Sequence, residues 1–317
     1  MSTLLITGTG SLAKRVMHRF KDKYDKIVAY SRDEYKHSLL PEWVTSEIGD
    51  IRDYNRLDFV FKTHKPDICI HTAAKKRVDM MEVYPLECVL TNIIGTENVA
   101  KACRVNDVRT SVLISTDKSV SPVNVYGCTK SIARSIYADY STRSENTSYL
   151  TCLYGNCAFS TGSFLPLWED KIKKSEPIYI TNENCTRFIF SLDDAVDLID
   201  RTISFNMSGD CIVPIMDSFR ITDVAKALGM IHGVDPIIIN TNKLRPGEKV
   251  HEEMIAQHEI DRTFLLDSKT LCVVPSIKNT ESYSNLDLYK GPIVRSDLFI
   301  NNNIEDLISL INRSRMS

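Results

Sequence analysis

The sequence has no long hydrophobic run. No apolar stretch approaches the roughly 18 residues a membrane span requires. The start, Met1-Ser2-Thr3-Leu4-Leu5-Ile6, carries no basic segment ahead of an apolar one, so no secretory leader is expected. Charge of one sign is also missing. The net charge is -2 over 317 residues, which gives no electrostatic case for nucleic acid or a membrane surface as main partner. Nine cysteines form no C-x-x-C pair. Cys69, Cys103, Cys152 and Cys211 sit in apolar segments, so they read as reduced core thiols of a cytoplasmic protein. The seven histidines show no H-E-x-x-H spacing, so no metal is expected. There are no internal repeats and no low-complexity linkers. What is present is 43% hydrophobic and 25% charged residues, enough for one large or two ordinary soluble domains.

The first half alternates strand and helix. Residues 3–7 read as a short buried strand, followed by Gly8-Thr9-Gly10-Ser11-Leu12-Ala13 and an amphipathic run through Phe20. Such a glycine turn lets backbone N–H groups approach a pyrophosphate at the positive end of a helix. A second strand, Lys26 to Tyr30, ends in Ser31-Arg32-Asp33. Ser31 and Arg32 suit a 2′-phosphate and hence NADP; the alternative is that Asp33 holds the ribose of NAD. Gly49-Asp50-Ile51-Arg52-Asp53 follows a third strand, where Asp50 is placed to reach an adenine edge. The fourth strand, Asp67 to His71, leads into Thr72-Ala73-Ala74-Lys75-Lys76, whose small residues permit a cofactor close to the backbone. His71 reads as a hydrogen-bonded strand-end residue. A helical region then runs through Asn92 to Cys103, interrupted near Pro85.

The fifth strand, Ser111 to Ile114, delivers Ser115-Thr116-Asp117-Lys118 to its carboxyl edge. In open α/β sheets ligands bind at that edge. A helix then carries Tyr126 and Lys130 one turn apart, on the same face. A nearby ammonium favours an ionised phenol, so Lys130 is expected to lower the Tyr126 pKa and make it a base. Tyr149 to Leu153 is a sixth strand, ending in Tyr154-Gly155-Asn156. Beyond it the alternation loses its regularity. A helix starts at Gly162-Ser163-Phe164-Leu165-Pro166; Pro177–Ile180 and Thr186–Phe190 read as strands and Asp193–Ile203 as a helix. Arg245-Pro246-Gly247-Glu248-Lys249 is expected to open a helix through Met254, and Ile304, Leu307, Leu310 and Ile311 mark a closing amphipathic helix. Arg187 and Arg245 suit a diphosphate clamp, although each taken singly better suits a surface ion pair.

Together these pieces resemble the extended short-chain dehydrogenases, and within them the inverting UDP-N-acetylglucosamine 4,6-dehydratases. The likeness rests on Ile6 to Ser11, Ser31 to Glu34, Gly49 to Asp53, His71 to Lys76, Pro85 to Cys88 with Thr91-Asn92, Ser115 to Lys118 and Tyr126 to Lys130. In the second half it adds Tyr154-Gly155-Asn156, Gly162-Ser163 with Pro166, Thr186-Arg187-Phe188 and Arg245 to Lys249. The Asp117-Lys118 pair discriminates most: retaining 4,6-dehydratases carry Asp-Glu there, and epimerases or reductases lack the pair. The family usually has one more Gly before the loop, Gly at Ala13, and Arg at Leu153 and Thr161.

The resemblance implies an α/β doubly wound parallel sheet with a smaller C-terminal substrate-binding lid. Residues 1–155 then bind NADP, and 156–317 mainly bind the nucleotide sugar, with some segments returning to the first part. Thr116, Asp117, Lys118, Tyr126 and Lys130 are the implied catalytic residues, Lys118 being the base at C5. The implied cofactor contacts are Gly8, Thr9, Gly10, Ser11, Leu12, Ser31, Arg32, Asp50, Ile51, Thr72, Ala73, Ala74, Tyr126, Lys130 and Cys157. The implied substrate contacts are Lys76, Asn156, Phe164, Leu165, Arg187 and Arg245. The expected partner is a UDP-sugar, and the expected assembly a homo-oligomer. A nucleotide-sugar reductase or 4-epimerase, a retaining dehydratase and a non-enzymatic NADP sensor are the alternatives.

Overall fold

A computed structural model describes residues 1–315. The first strand, β1 (Thr3–Thr7), is followed by α1 (Ser11–Phe20), β2 (Lys26–Ser31), α2 (Glu34–Ser38), β3 (Val44–Ile48), α3 (Tyr54–His64) and β4 (Ile68–His71). Two short helices, α4 (Val78–Val83) and α5 (Pro85–Val89), come next. A π-helical turn over Leu90–Ile94 then runs into α6 (Gly95–Val105). The interruption expected near Pro85 is real, and Pro85 sits at the start of α5, where its missing N–H costs nothing. Then come β5 (Thr110–Thr116), α7 (Val125–Thr142), β6 (Ser148–Tyr154) and the short β7 (Asn156–Cys157).

Strands β3-β2-β1-β4-β5-β6 lie side by side in that order, all parallel. This is the doubly wound arrangement, and the order reverses between β1 and β4. Both faces are covered, so the strands are apolar throughout, and alternate residues go to opposite sides. Leu4 and Ile6 join the core under α1, with Ala13, Val16, Met17 and Phe20. Leu5 joins the core on the other face, with Leu57, Val60, Phe61, Val99 and Tyr137.

The rest of the chain comprises α8 (Phe164–Lys173), β8 (Ile178–Ile180), β9 (Thr186–Phe190), α9 (Leu192–Phe205), β10 (Cys211–Pro214), β11 (Ser218–Arg220), α10 (Ile221–His232) and β12 (Ile238–Asn240). It ends with β13 (Glu253–Ile255), β14 (Thr263–Asp267), β15 (Thr270–Val273), β16 (Val294–Arg295) and α11 (Ile304–Arg315). β10 adds to β6 in parallel, and β15 and β14 extend the sheet antiparallel to nine strands. A separate core gathers Leu165, Trp168, Ile178, Phe219, Val224, Leu228, Leu307 and Ile311 from α8, β8, β11, α10 and α11. A fourth core joins Val120 and Leu153 of the first half to Phe188, Met254, Ile255 and Val294.

One expected element is absent. Residues 245–252 are turns and bends, not a helix, and lead into β13, which pairs antiparallel with β16. Pro246 cannot serve a helix interior. Gly247 holds φ +72, a left-handed conformation that ends helices. Among the described residues no helix is long and apolar enough to cross a membrane.

Candidate active site

At the end of β1 the chain turns through Gly8, at φ +99. A Cβ there would lie 2.7 Å from Thr72 Oγ1, so glycine is required by both backbone and space. Thr72 Oγ1 donates to the Thr7 carbonyl at 2.6 Å, which locks the β1 and β4 ends together. Gly10 precedes α1 without any side-chain cap. A Cβ on Gly10 would meet nothing within 4 Å, and no side chain takes the first N–H groups of α1. Thr9 Oγ1 and Ser31 Oγ are 3.0 Å apart. This open helix start, with hydroxyls beside it, fits the pyrophosphate of a dinucleotide.

The adenosine side is more heavily engaged than the sequence suggests. The Asp50 carboxylate accepts from Arg52 Nε and the Arg52 backbone, both at 2.9 Å, and from Arg32 at 3.3 Å. Asp33 caps α2 by accepting from the Lys36 N–H, and also pairs with the Lys36 ammonium at 2.7 Å. Ile51 and Leu12 are apolar packing on opposite faces: Ile51 is buried in the core with Leu57 and Val99, and Leu12 packs against the core under α1. Ala73 and Ala74 are half-buried beside the glycine turn. His71 is enclosed, with its two ring nitrogens on Thr7 and Thr96 hydroxyls at 2.7 and 3.0 Å. Burial and then Lys130 push its pKa down to about 3, so it stays neutral.

The chemistry gathers at the end of β5. A single 3-10 turn, Asp117–Ser119, is fastened by the Ser119 hydroxyl donating to the Thr116 carbonyl at 2.6 Å. Helix α7 packs directly on this turn, because Gly127 has no side chain: a Cβ there would sit 2.1 Å from the Lys118 carbonyl oxygen. Asn124 caps α7, its Oδ1 accepting from Gly127 N–H at 2.7 Å. Asp117 is fully buried. Its Oδ1 accepts from Thr116 Oγ1 at 2.8 Å and Lys118 Nζ at 3.0 Å, while its Oδ2 has no partner. Lys118 Nζ also lies 3.5 Å from Asn156 Oδ1 and 3.5 Å from Glu252 Oε1. Burial works to lower the Lys118 pKa, but Asp117 and Glu252 outweigh it and hold the ammonium above its ordinary range.

The Tyr126–Lys130 pair differs from the expectation. The Lys130 ammonium is buried and donates to the Ile114 carbonyl, and burial lowers its pKa to about 8. Burial raises the Tyr126 phenol to about 12; Lys118 and a contact with Thr116 oppose the shift. The cation acting most strongly on the phenol is therefore Lys118, not its helix neighbour Lys130.

The substrate-side residues divide. Asn156 lies within the site, its Nδ2 held by the Phe188 carbonyl at 3.1 Å. Lys76 is exposed at the rim beside buried Cys157, whose thiol burial raises to about 12. Phe164 opens α8 and meets Trp168 edge-on, with 4.8 Å between ring centres. Leu165 is buried in the C-terminal core, so its side chain faces no ligand. Arg187 and Arg245 do come together, but on Glu248. Arg187 reaches it at 3.2 Å and also donates to the Thr186 and Val250 carbonyls. Arg245, largely exposed, reaches the same carboxylate at 2.9 Å.

The Polysaccharide biosynthesis protein family matches residues 4–272. An inverting UDP-N-acetylglucosamine 4,6-dehydratase of Campylobacter jejuni is 34% identical over 90% of this chain and 86% of its own. A protein named UDP-glucose 4-epimerase from Rickettsia bellii is 36% identical over 81% of this chain and 79% of its own. Among solved structures, Pen from Bacillus thuringiensis superposes with a TM-score of 0.90 at 29% identity, covering 100% of this chain and 98% of that one. The chain belongs to this family of nucleotide-sugar dehydratases and epimerases, within the extended short-chain dehydrogenases.

Against that family's pattern, the three substituted positions fall in different places. Ala13 and Leu153 are fully buried. Thr161 is exposed and bridges the two halves, its N–H donating to Ser11 Oγ at 2.9 Å. The site residue that sequence reasoning missed is Glu252. It lies four positions after Glu248, and the assumed helix hid the signal. In the observed turn, Gly247 abuts Asn124, whose Nδ2 donates to the Gly247 carbonyl at 2.8 Å, and Lys249 Nζ donates to the Val120 carbonyl at 2.7 Å. That docking onto the loop before α7 carries Glu252 to Lys118.

Proposed function

We propose that the protein is a UDP-N-acetylglucosamine 4,6-dehydratase that inverts C5 and uses NADP. The observation that carries the reading is the buried Asp117–Lys118 pair beside Tyr126. Removal of water needs an acid and a base next to one another, and transfer of one proton across the 3.0 Å contact converts this ion pair into both.

A bound nicotinamide would supply the hydride chemistry, an acceptor for the C4 hydride and its donor to C6. Tyr126 takes the C4 hydroxyl proton, with Thr116 hydrogen-bonding the C4 oxygen. Lys130 anchors the nicotinamide ribose. The 4-ketone acidifies C5. Lys118, discharged to Asp117, takes the C5 proton, and Asp117 protonates the departing C6 hydroxyl. Both groups are thereby restored, and C5 is reprotonated from the opposite face. Lys76 and Asn156 line the sugar, and the diphosphate competes with Glu248 for Arg187 and Arg245. NADP is favoured over NAD because Asp33 is committed to capping α2, whereas Arg32 is half-exposed at the strand end. Exposed Leu86, Val123 and Ile132 around α5 and α7 suit self-association.

A 4-epimerase is the second reading, favoured by the 36% identity to relatives named as such. Incubation with UDP-N-acetylglucosamine and no added cofactor separates the readings. A 6-deoxy-4-keto product of L-arabino configuration is expected. An epimerised hydroxy sugar would support the epimerase, a requirement for stoichiometric reduced cofactor a reductase, and a D-xylo product a retaining enzyme.

A further inference from the structure

Lys118 is enclosed by two acids, only one of which the mechanism uses. Its Nζ lies 3.0 Å from Asp117 Oδ1 and 3.5 Å from Glu252 Oε1. The two carboxyl side chains are 0% and 4% exposed, and each has a second buried oxygen without a partner. The other charged or titratable groups acting on this ammonium are Arg187 and Tyr126. The carboxylate's position is imposed by the backbone. Glu252 N–H donates to Ser296 Oγ at 2.9 Å, and the Glu252 carbonyl accepts from Ser296 N–H at 2.8 Å. A second buried carboxylate that caps no helix and carries an unpartnered oxygen costs stability unless it has a task.

We propose that Glu252 is a positioning residue that holds the proton on Lys118 after the lysine has taken it from C5. This rests on the dehydratase reading above. In the step concerned, the C5–H bond breaks and an N–H bond forms on Lys118. The electron pair closes the C5–C6 double bond as the C6–O bond breaks, and Asp117 supplies the proton that leaves with water. Glu252 stays a carboxylate throughout. Its charge makes the Lys118 ammonium a weaker acid, in keeping with the direction in which that group is shifted. A weaker acid returns its proton to the same face of C5 more slowly. Reprotonation is then left to a donor on the opposite face, which is what inversion requires.

The test uses the full chain with its cofactor, labelled with carbon-13 at the lysine ε position, and Lys118→Met assigns the signal. Glu252→Gln keeps shape and backbone contacts while removing the charge. It should lower the Lys118 titration midpoint by about one pH unit, a tenfold change in acidity. With UDP-N-acetylglucosamine it should also raise the D-configured share of the initial keto product roughly three- to tenfold. Glu252→Asp, which withdraws the charge by one methylene, should lower the midpoint by less and serves if the Gln variant does not accumulate. An unmoved midpoint overturns the proposal. A lowered midpoint with a product still wholly of L configuration overturns the stereochemical role. If the unmodified protein yields no 6-deoxy-4-keto sugar, the activity reading falls, and the lysine titration still decides whether Glu252 governs Lys118.

Discussion

The ends of β1 and β5 sit on the same edge of one sheet, yet they are built in opposite ways. At β1 the binding groups are backbone N–H groups at an open helix start, with hydroxyls and an exposed arginine nearby. At β5 the groups are ionisable side chains, with Lys118 between Asp117 and Glu252 and Lys130 on a backbone carbonyl. The first arrangement suits holding a fixed anion in a wet site, where helix dipole and direct N–H bonds suffice. The second suits moving protons, because burial makes each charge depend strongly on its neighbours. Lys118 and Lys130 show how local this is. Both are lysines at this strand end. The one flanked by two acids is raised, and the one facing a carbonyl is lowered to about 8.

The largest expected effect breaks the β5 side. Lys118→Met should cut formation of the keto product by about 10³-fold and abolish solvent exchange at C5. Tyr126→Phe should lose about as much but fail earlier, before any C4 oxidation. A rate assay with proton NMR in D₂O reads both, and near-normal turnover in either would remove that residue from the mechanism.

Gly247→Ala tests the segment that brings Glu252 in. The alanine needs φ +72 and places its Cβ 2.6 Å from the Asn124 Cβ. A loss of about 2 kcal/mol in unfolding free energy is expected. A variant as stable as the parent would show that this turn does not hold the docked segment in place.

Arg32→Ala addresses the β1 side. The preference for NADP over NAD should fall about tenfold, read by binding titrations with each cofactor. Equal or tighter NAD binding by the parent protein would refute the reading of this strand end.

A pH dependence sharpens the contrast between the lysines. Lys130 titrates near 8 when folded, below the 10.5 of an unperturbed lysine. Between those values the unfolded chain binds more protons, so this group's contribution makes stability rise with pH. Lys118, raised above 10.5, contributes stability that is lost only at still higher pH. Denaturation of the parent against Lys130→Met should show the parent gaining relative stability from pH 8 to about 10.5. A flat difference would mean that Lys130 is not desolvated.

The strand–helix alternation, the glycine loop and the position of Thr116 to Lys118 were legible because each follows from local pattern. Buried parallel strands read as apolar runs, and a left-handed glycine follows from a tight turn. The Tyr126–Lys130 relation was only half legible. Spacing puts two residues on one helix face, but it does not say which carbonyl or carboxylate their ends meet. Leu165 and Ile51 show the same limit, since position beside a site does not decide whether a side chain enters it or packs beneath it.

By itself, then, the sequence determined the alternation of a doubly wound sheet, the edge where a dinucleotide fits and the ionisable residues at the end of β5, since all of these follow from local pattern. Only the tertiary structure decided what else acts on Lys118 besides its neighbour Asp117. Glu252, 134 positions away, adds to that shift, carried in by a turn that docks on Asn124 and Val120. In a buried site an ionisable group answers to whichever charges the fold brings within a few ångströms, and sequence separation does not measure that distance.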